Sequence, residues 1–154
     1  MKQGFFMIFE DYFSELQADM VSICLEYVQG KADKIYIYAA FEPRVSGAGC
    51  FFSVKGKLVQ RHLVNQEIPE VNLDHQIQVL DILMEDLEKL NSICQKFNQP
   101  MPTEIKMIYD LKKNSLSANY QYNLILSSES GLLALPQDVE DAWFEEIKKQ
   151  MEDN

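Results

Sequence analysis

Apolar residues recur every three or four positions across residues 7–29. Phe9, Phe13, Leu16, Met20, Ile23, Cys24 and Tyr27 lie along one stripe, with Glu10, Asp11, Glu15, Asp19 and Glu26 falling mostly between them. That period predicts an amphipathic helix, with Gly30 as its C-terminal cap. The period then drops to two over residues 34–42. Ile35, Ile37, Ala39 and Phe41 alternate with Tyr36, Tyr38 and Ala40, so both faces of this strand are apolar and it belongs at the centre of a sheet. Pro43 and Ser46-Gly47-Ala48-Gly49 read as a loop. Cys50–Lys55 and Leu58–Val64 read as two strands joined by a two-residue turn at Gly56-Lys57, and the stretch from Asn65 to Asn72, with Pro69, as a loop.

Residues 74–97 show the longest helical stripe, through Ile77, Leu80, Leu83, Met84, Leu87, Leu90, Ile93, Cys94 and Phe97. Asp74 is placed to cap it, and Asn98, Gln99, Pro100 and Pro102 to end it. Thr103–Leu111 and Leu116–Asn123 follow as strands around a turn at Lys112–Ser115. The second alternates Leu116, Ala118, Tyr120 and Tyr122 with polar residues, as a strand with one buried and one wet face does. After a Ser-rich loop at Ser127–Gly131, Pro136 suits the first position of a final helix whose apolar side is Val139, Ala142, Trp143, Ile147 and Met151. The expected fold class is α+β: an antiparallel sheet of about five strands with three helices, in the order α-β-β-β-α-β-β-α. The 154 residues fit a single domain, 1–154, and show no repeat or linker.

Composition adds constraints on partners. The net charge of −10 and pI of about 4.6 disfavour binding to nucleic acid or to an anionic membrane surface, and favour a basic protein partner. Cys24, Cys50 and Cys94 are odd in number, far apart and set in apolar patterns. They suggest neither a disulfide framework nor a zinc site, and point to a reducing, cytoplasmic setting. No leader pattern or membrane span is visible.

Catalytic constellations are missing from the sequence. His62 and His75 are the only histidines, and Asp74-His75 reads as a helix start rather than part of a triad. HExxH, HxH and CxxC spacings do not occur, so no metal and no cofactor are expected. The acidic run through Asp81, Glu85, Asp86 and Glu88 lacks the glycine of a calcium loop and reads as a solvated helix face. Gly47-Ala48-Gly49 lacks the third glycine and following helix of a dinucleotide fingerprint. The expectation is a protein without enzymatic activity.

Charge concentrates at the C-terminal end. Residues 136–154 hold seven carboxylates against Lys148 and Lys149, half of the chain's net charge, together with the single Trp. Trp143 is expected to pack on the sheet, and Phe144, on another side of the helix, to meet a partner. The candidate partner-binding residues are Glu140, Phe144, Glu145 and Lys148 on the outer side of the last helix, with Glu85 and Glu88 on the long helix.

Several stretches carry a family resemblance: Lys34-Ile-Tyr-Ile-Tyr-Ala-Ala, Phe51-Phe52, the acidic helix around Leu83-Met-Glu-Asp-Leu-Glu-Lys-Leu, and the strand ending Asn119-Tyr-Gln-Tyr-Asn. In these stretches and in element order over residues 10–150, the chain resembles the YezG-like immunity proteins, antitoxins of secreted bacterial polymorphic toxins, which are often nucleases. The resemblance implies a stoichiometric inhibitor that masks a toxin domain without catalysis of its own, and the acidic charge balance fits a toxin whose active face is basic. The alternatives are a protein-interaction or homodimeric adaptor module and, behind it, a small-ligand binder or enzyme whose site is scattered in sequence.

Overall fold

A computed structural model describes residues 8–153. The chain forms α1 (Phe9–Tyr27), β1 (Lys34–Phe41), β2 (Ser46–Val54), β3 (Lys57–Gln60), α2 (Gln76–Lys96), β4 (Glu104–Asp110), β5 (Ser115–Gln121), a short hairpin β6 (Ser127–Ser128) and β7 (Gly131–Leu132), and α3 (Pro136–Glu152). The five long strands make one antiparallel sheet in the order β3-β2-β1-β4-β5. The α+β reading and its element order hold, with the β6–β7 hairpin added. Met7, taken as helical from sequence, lies outside the described residues.

The two apolar faces of β1 account for the layering. Ile35, Ile37 and Ala39 point to a core shared with α1 and α2, which also holds Cys50, Phe52, Leu83, Leu87, Ile105 and Met107. Tyr36, Tyr38 and Ala40 point the other way, to a smaller core with Phe51, Leu126, Trp143, Phe144 and Ile147. Helices α1 and α2 therefore cover one face of the sheet and α3 the other, so the chain covers both sides of its own central strand.

Local rules explain the element ends. Both α1 and α3 start behind an apolar residue whose amide donates to an aspartate three positions on: Ile8 to Asp11 at 3.1 Å and Leu135 to Asp138 at 2.9 Å. Helix α1 ends with Gln29 at φ 55° and Gly30 at φ 69°, their amides returning to Glu26 and Leu25. Asn98, at φ 53°, closes α2 in the same way. Asn72, not Asp74, caps the turn before α2, its side chain accepting from the Asp74 amide at 3.0 Å.

Three strand assignments are corrected. Ser46–Gly49 is not a loop but the first half of β2, paired with Ala39, Ala40, Phe41 and Tyr38. Its glycines serve close approach rather than turning: a Cβ on Gly47 would sit 2.8 Å from Pro136 Cβ, and one on Gly49 would overlap the Glu140 carboxyl group. The β2–β3 turn is Lys55-Gly56, one residue earlier than expected, with both residues at positive φ as a primed hairpin turn requires. Finally, β3 stops at Gln60, and Arg61–Gln66 winds into a 3-10 turn that swings Arg61 and His62 out of the sheet.

Candidate functional site

Helix α3 crosses β2, β1 and β3 on the face that α1 and α2 leave free. Its inward stripe is Glu140, Trp143, Phe144 and Ile147, all buried, whereas Ala142 is exposed. Trp143 meets Tyr36 and Phe51 edge-on, at centroid distances of 5.9 and 5.1 Å, and the Lys106 ammonium stands 5.5 Å from its ring. It packs on the sheet as expected. Phe144 does too: its ring lies 5.1 Å from that of Phe51, so its assignment to the outer side is corrected. The reason is helical spacing, since Phe144 follows Glu140 by four residues and precedes Ile147 by three.

The same stripe takes in Glu140, a second correction. Only 4% of this residue is exposed. Its carboxylate sits against Gly49, in space that the Cβ of any other residue at position 49 would occupy. Burial pushes its pKa up to about 7, Asp141 adds to the rise, and the positive charge of Arg61 opposes it. It makes no hydrogen bond and no ion pair with the described residues.

Beside it opens a cavity of about 520 Å³, lined by Gln60, Arg61, His62, Gln137, Glu140, Asp141 and Glu145. The turn after β3 supplies one wall and the first half of α3 the other. Arg61 points one guanidinium nitrogen toward the Cys50 carbonyl, 3.5 Å away, and its Nε is buried without a partner. Gln137 donates to Asp141 at 2.9 Å across one helical turn.

Two further carboxylates underlie α3. Tyr38 donates to Glu104 at 3.2 Å, and burial together with the charges of Glu104, Glu42 and Glu140 holds the phenol strongly neutral. Burial alone would raise the pKa of Glu42, but the amides of Leu126 and Ile125, at 2.9 and 2.8 Å, and the Ser127 hydroxyl hold it below the ordinary value. Glu42 thereby pins the segment leading into β6.

Of the remaining candidates, Glu145 and Lys148 are exposed on α3, and Glu85 and Glu88 are exposed on α2. The last two lie across the sheet from α3, so the six residues do not form one surface. Asp86, read as part of the solvated face of α2, is only 2% exposed and has an orphaned Oδ2. Burial and the adjacent Asp19 carboxyl raise its pKa to about 7. Sequence reasoning missed Gln60, Arg61 and His62, which join α3 only because the chain leaves the sheet after Gln60. The one local signal was the pair of glycines in β2.

Fold and site together describe an α+β protein whose five-stranded sheet carries α1 and α2 on one face and α3 across β1, β2 and β3 on the other, and whose last helix presents carboxylates outward and buries Glu140 beside a cavity. The sequence matches no protein-family model, and no curated protein matches it either. No described helix is long and apolar enough to cross a membrane, and no group of three or more described His, Cys, Asp or Glu side chains could hold a metal ion.

Proposed function

We propose that the protein is an immunity protein, one that neutralises a secreted bacterial toxin domain, a basic nuclease, by stoichiometric masking through the outer face of α3. The observation that carries this reading is the set of unpaired carboxylates on that helix. Asp138, Asp141, Glu145, Glu146, Glu152 and Asp153 are exposed, and none of them takes part in an ion pair among the described residues. The ion pairs there, Lys31–Glu70 at 3.3 Å and Lys57–Glu67 at 3.1 Å, lie elsewhere. A helix whose exposed carboxylates outnumber its lysines, Lys148 and Lys149, attracts a basic surface and speeds its approach. The family resemblance points the same way.

The test is affinity capture of the tagged protein from its native cells, followed by titration of the captured domain's activity with the purified protein. Complete inhibition at one equivalent, with association that slows as salt rises, is the expected result. A partner unaffected by excess protein, or a salt-independent on-rate, would defeat the reading.

A second reading, self-association, is favoured by β5. This edge strand lies in an uncharged stretch running from Asn114 to Ser128, in a chain of net charge −10. Edge strands that stay alone usually carry charges or proline. Leu116 on it, and Tyr122 and Leu124 just after it in sequence, are exposed. Two copies could meet there without opposing like charges, and the mass in solution as a function of concentration separates this reading from the first.

A further inference from the structure

The cavity between the turn after β3 and α3 has a feature that the outer face of α3 does not use. Its inner wall is a carboxylate, Glu140, that is 96% buried by its 4% exposure and has no donor among the described residues. Its oxygens are not sealed in the interior but reach the cavity, so any donor to them comes from that side. Its position is built in, because Gly49 leaves out the Cβ that would displace it.

The charges around the cavity do not balance. Glu140, Asp141 and Glu145 line it, against Arg61 as its only permanently cationic residue. Arg61 does not close on Glu140, since no salt bridge joins them and its guanidinium is turned toward the Cys50 carbonyl. The volume of about 520 Å³ is ample for one planar cation. The side-chain amides of Gln60 and Gln137 stand on its walls as further polar partners.

We propose that this cavity is a socket for the guanidinium or ammonium head of a basic side chain of the partner protein, received by Glu140 as the buried acceptor with Asp141 and Glu145 at the mouth. This rests on the partner-binding function above and adds the group that the partner contributes. A guanidinium offers a fork of donors to a carboxylate, and in a site shielded from water such a pair is stronger than at the surface.

Proton linkage gives the socket a signature. Glu140 is held near protonation at neutral pH, chiefly by burial. The groups that face it are Arg61 and His62 from the turn, Asp141 and Glu145 from α3, and Tyr38 from the sheet. An entering cation must displace the proton, so affinity rises with pH through about 7 and is about tenfold weaker at pH 6 than at pH 8.

The probe is ethylguanidinium, added to the full chain at up to about 50 mM and followed by NMR of the glutamate carboxyl carbons and glutamine side-chain amides. The expected result is saturable binding that lowers the midpoint of Glu140 and shifts the amides of Gln60 and Gln137, with the stated pH dependence. Glu140→Gln should abolish it and Glu26→Gln, at an exposed position on α1 across the sheet, should not, each variant being checked for native unfolding behaviour. Absence of saturation, or equal binding by Glu140→Gln, overturns the socket. The titration decides it even if no partner is captured. A captured partner that binds wild type and Glu140→Gln equally leaves the partner reading standing and removes the socket.

Discussion

Replacing Glu140 with Gln keeps the shape of the side chain over Gly49 and removes its charge. In the folded protein the carboxyl has its pKa raised from 4.5 to about 7, mainly by burial. The folded state therefore holds this proton more tightly than the unfolded chain does. Stability associated with the group is fully present below about 4.5, falls as pH rises, and is lost above about 7. At about 1.4 kcal/mol per pH unit the full displacement corresponds to about 3 kcal/mol, and water in the adjoining cavity reduces this to about 2 kcal/mol. Glu140→Gln should thus gain about 2 kcal/mol over wild type between pH 4 and pH 8. Urea unfolding followed by the fluorescence of Trp143, the only tryptophan and packed against Phe51, measures the difference directly. A fixed cost of burying the glutamine amide would offset the curve at every pH without changing its slope. A stability difference that stays flat across this range would refute the assignment of Glu140 as a buried, uncompensated acid.

Asp86→Asn should act in the same direction from the other side of the sheet, because a raised pKa costs wild type stability as pH climbs from 3.8 to about 7. Thermal melts at pH 8 should show a gain of about 1–2 kcal/mol that vanishes at pH 4. Phe144→Ala removes a buried ring packed on Phe51 and should cost about 3–5 kcal/mol, whereas Glu145→Ala should stay within about 0.5 kcal/mol; both are read by urea unfolding. Cys24, Cys50 and Cys94 are all buried; burial raises the thiol pKa of Cys94, and the neighbouring Cys50 thiol together with burial raises that of Cys24, so a thiol reagent should label none in the native protein and three after unfolding. Rapid labelling of any one under native conditions would contradict its burial.

The parts of the fold legible in sequence are those whose period repeats over many residues. Helices α1 and α2 announced themselves through apolar spacing, and the two apolar faces of β1 were enough to place it centrally. The errors fall where a residue's surroundings come from elsewhere in the chain. Gly47 and Gly49 looked like a loop because glycine runs usually turn, whereas here they make room for Pro136 and Glu140, in the helix at the other end of the sequence. Glu140 and Asp86 were assigned to water by residue type. Only the packing of α3 on β2, and of α2 on α1, shows that they are inside. Of the candidate site, the acidic character of α3 was readable, but the cavity was not, since half of its wall comes from a turn that the strand pattern concealed.

The two ends of the sheet are unequal. At one, β3 is four residues long and runs straight into the 3-10 turn at Arg61–Gln66; at the other, β5 offers seven residues with no charge among them. Strand addition therefore has one place to start and none to continue. A second copy that pairs its own β5 with this one uses up both edges, so this contact can support a finite pair but not a fibre built by repeating it.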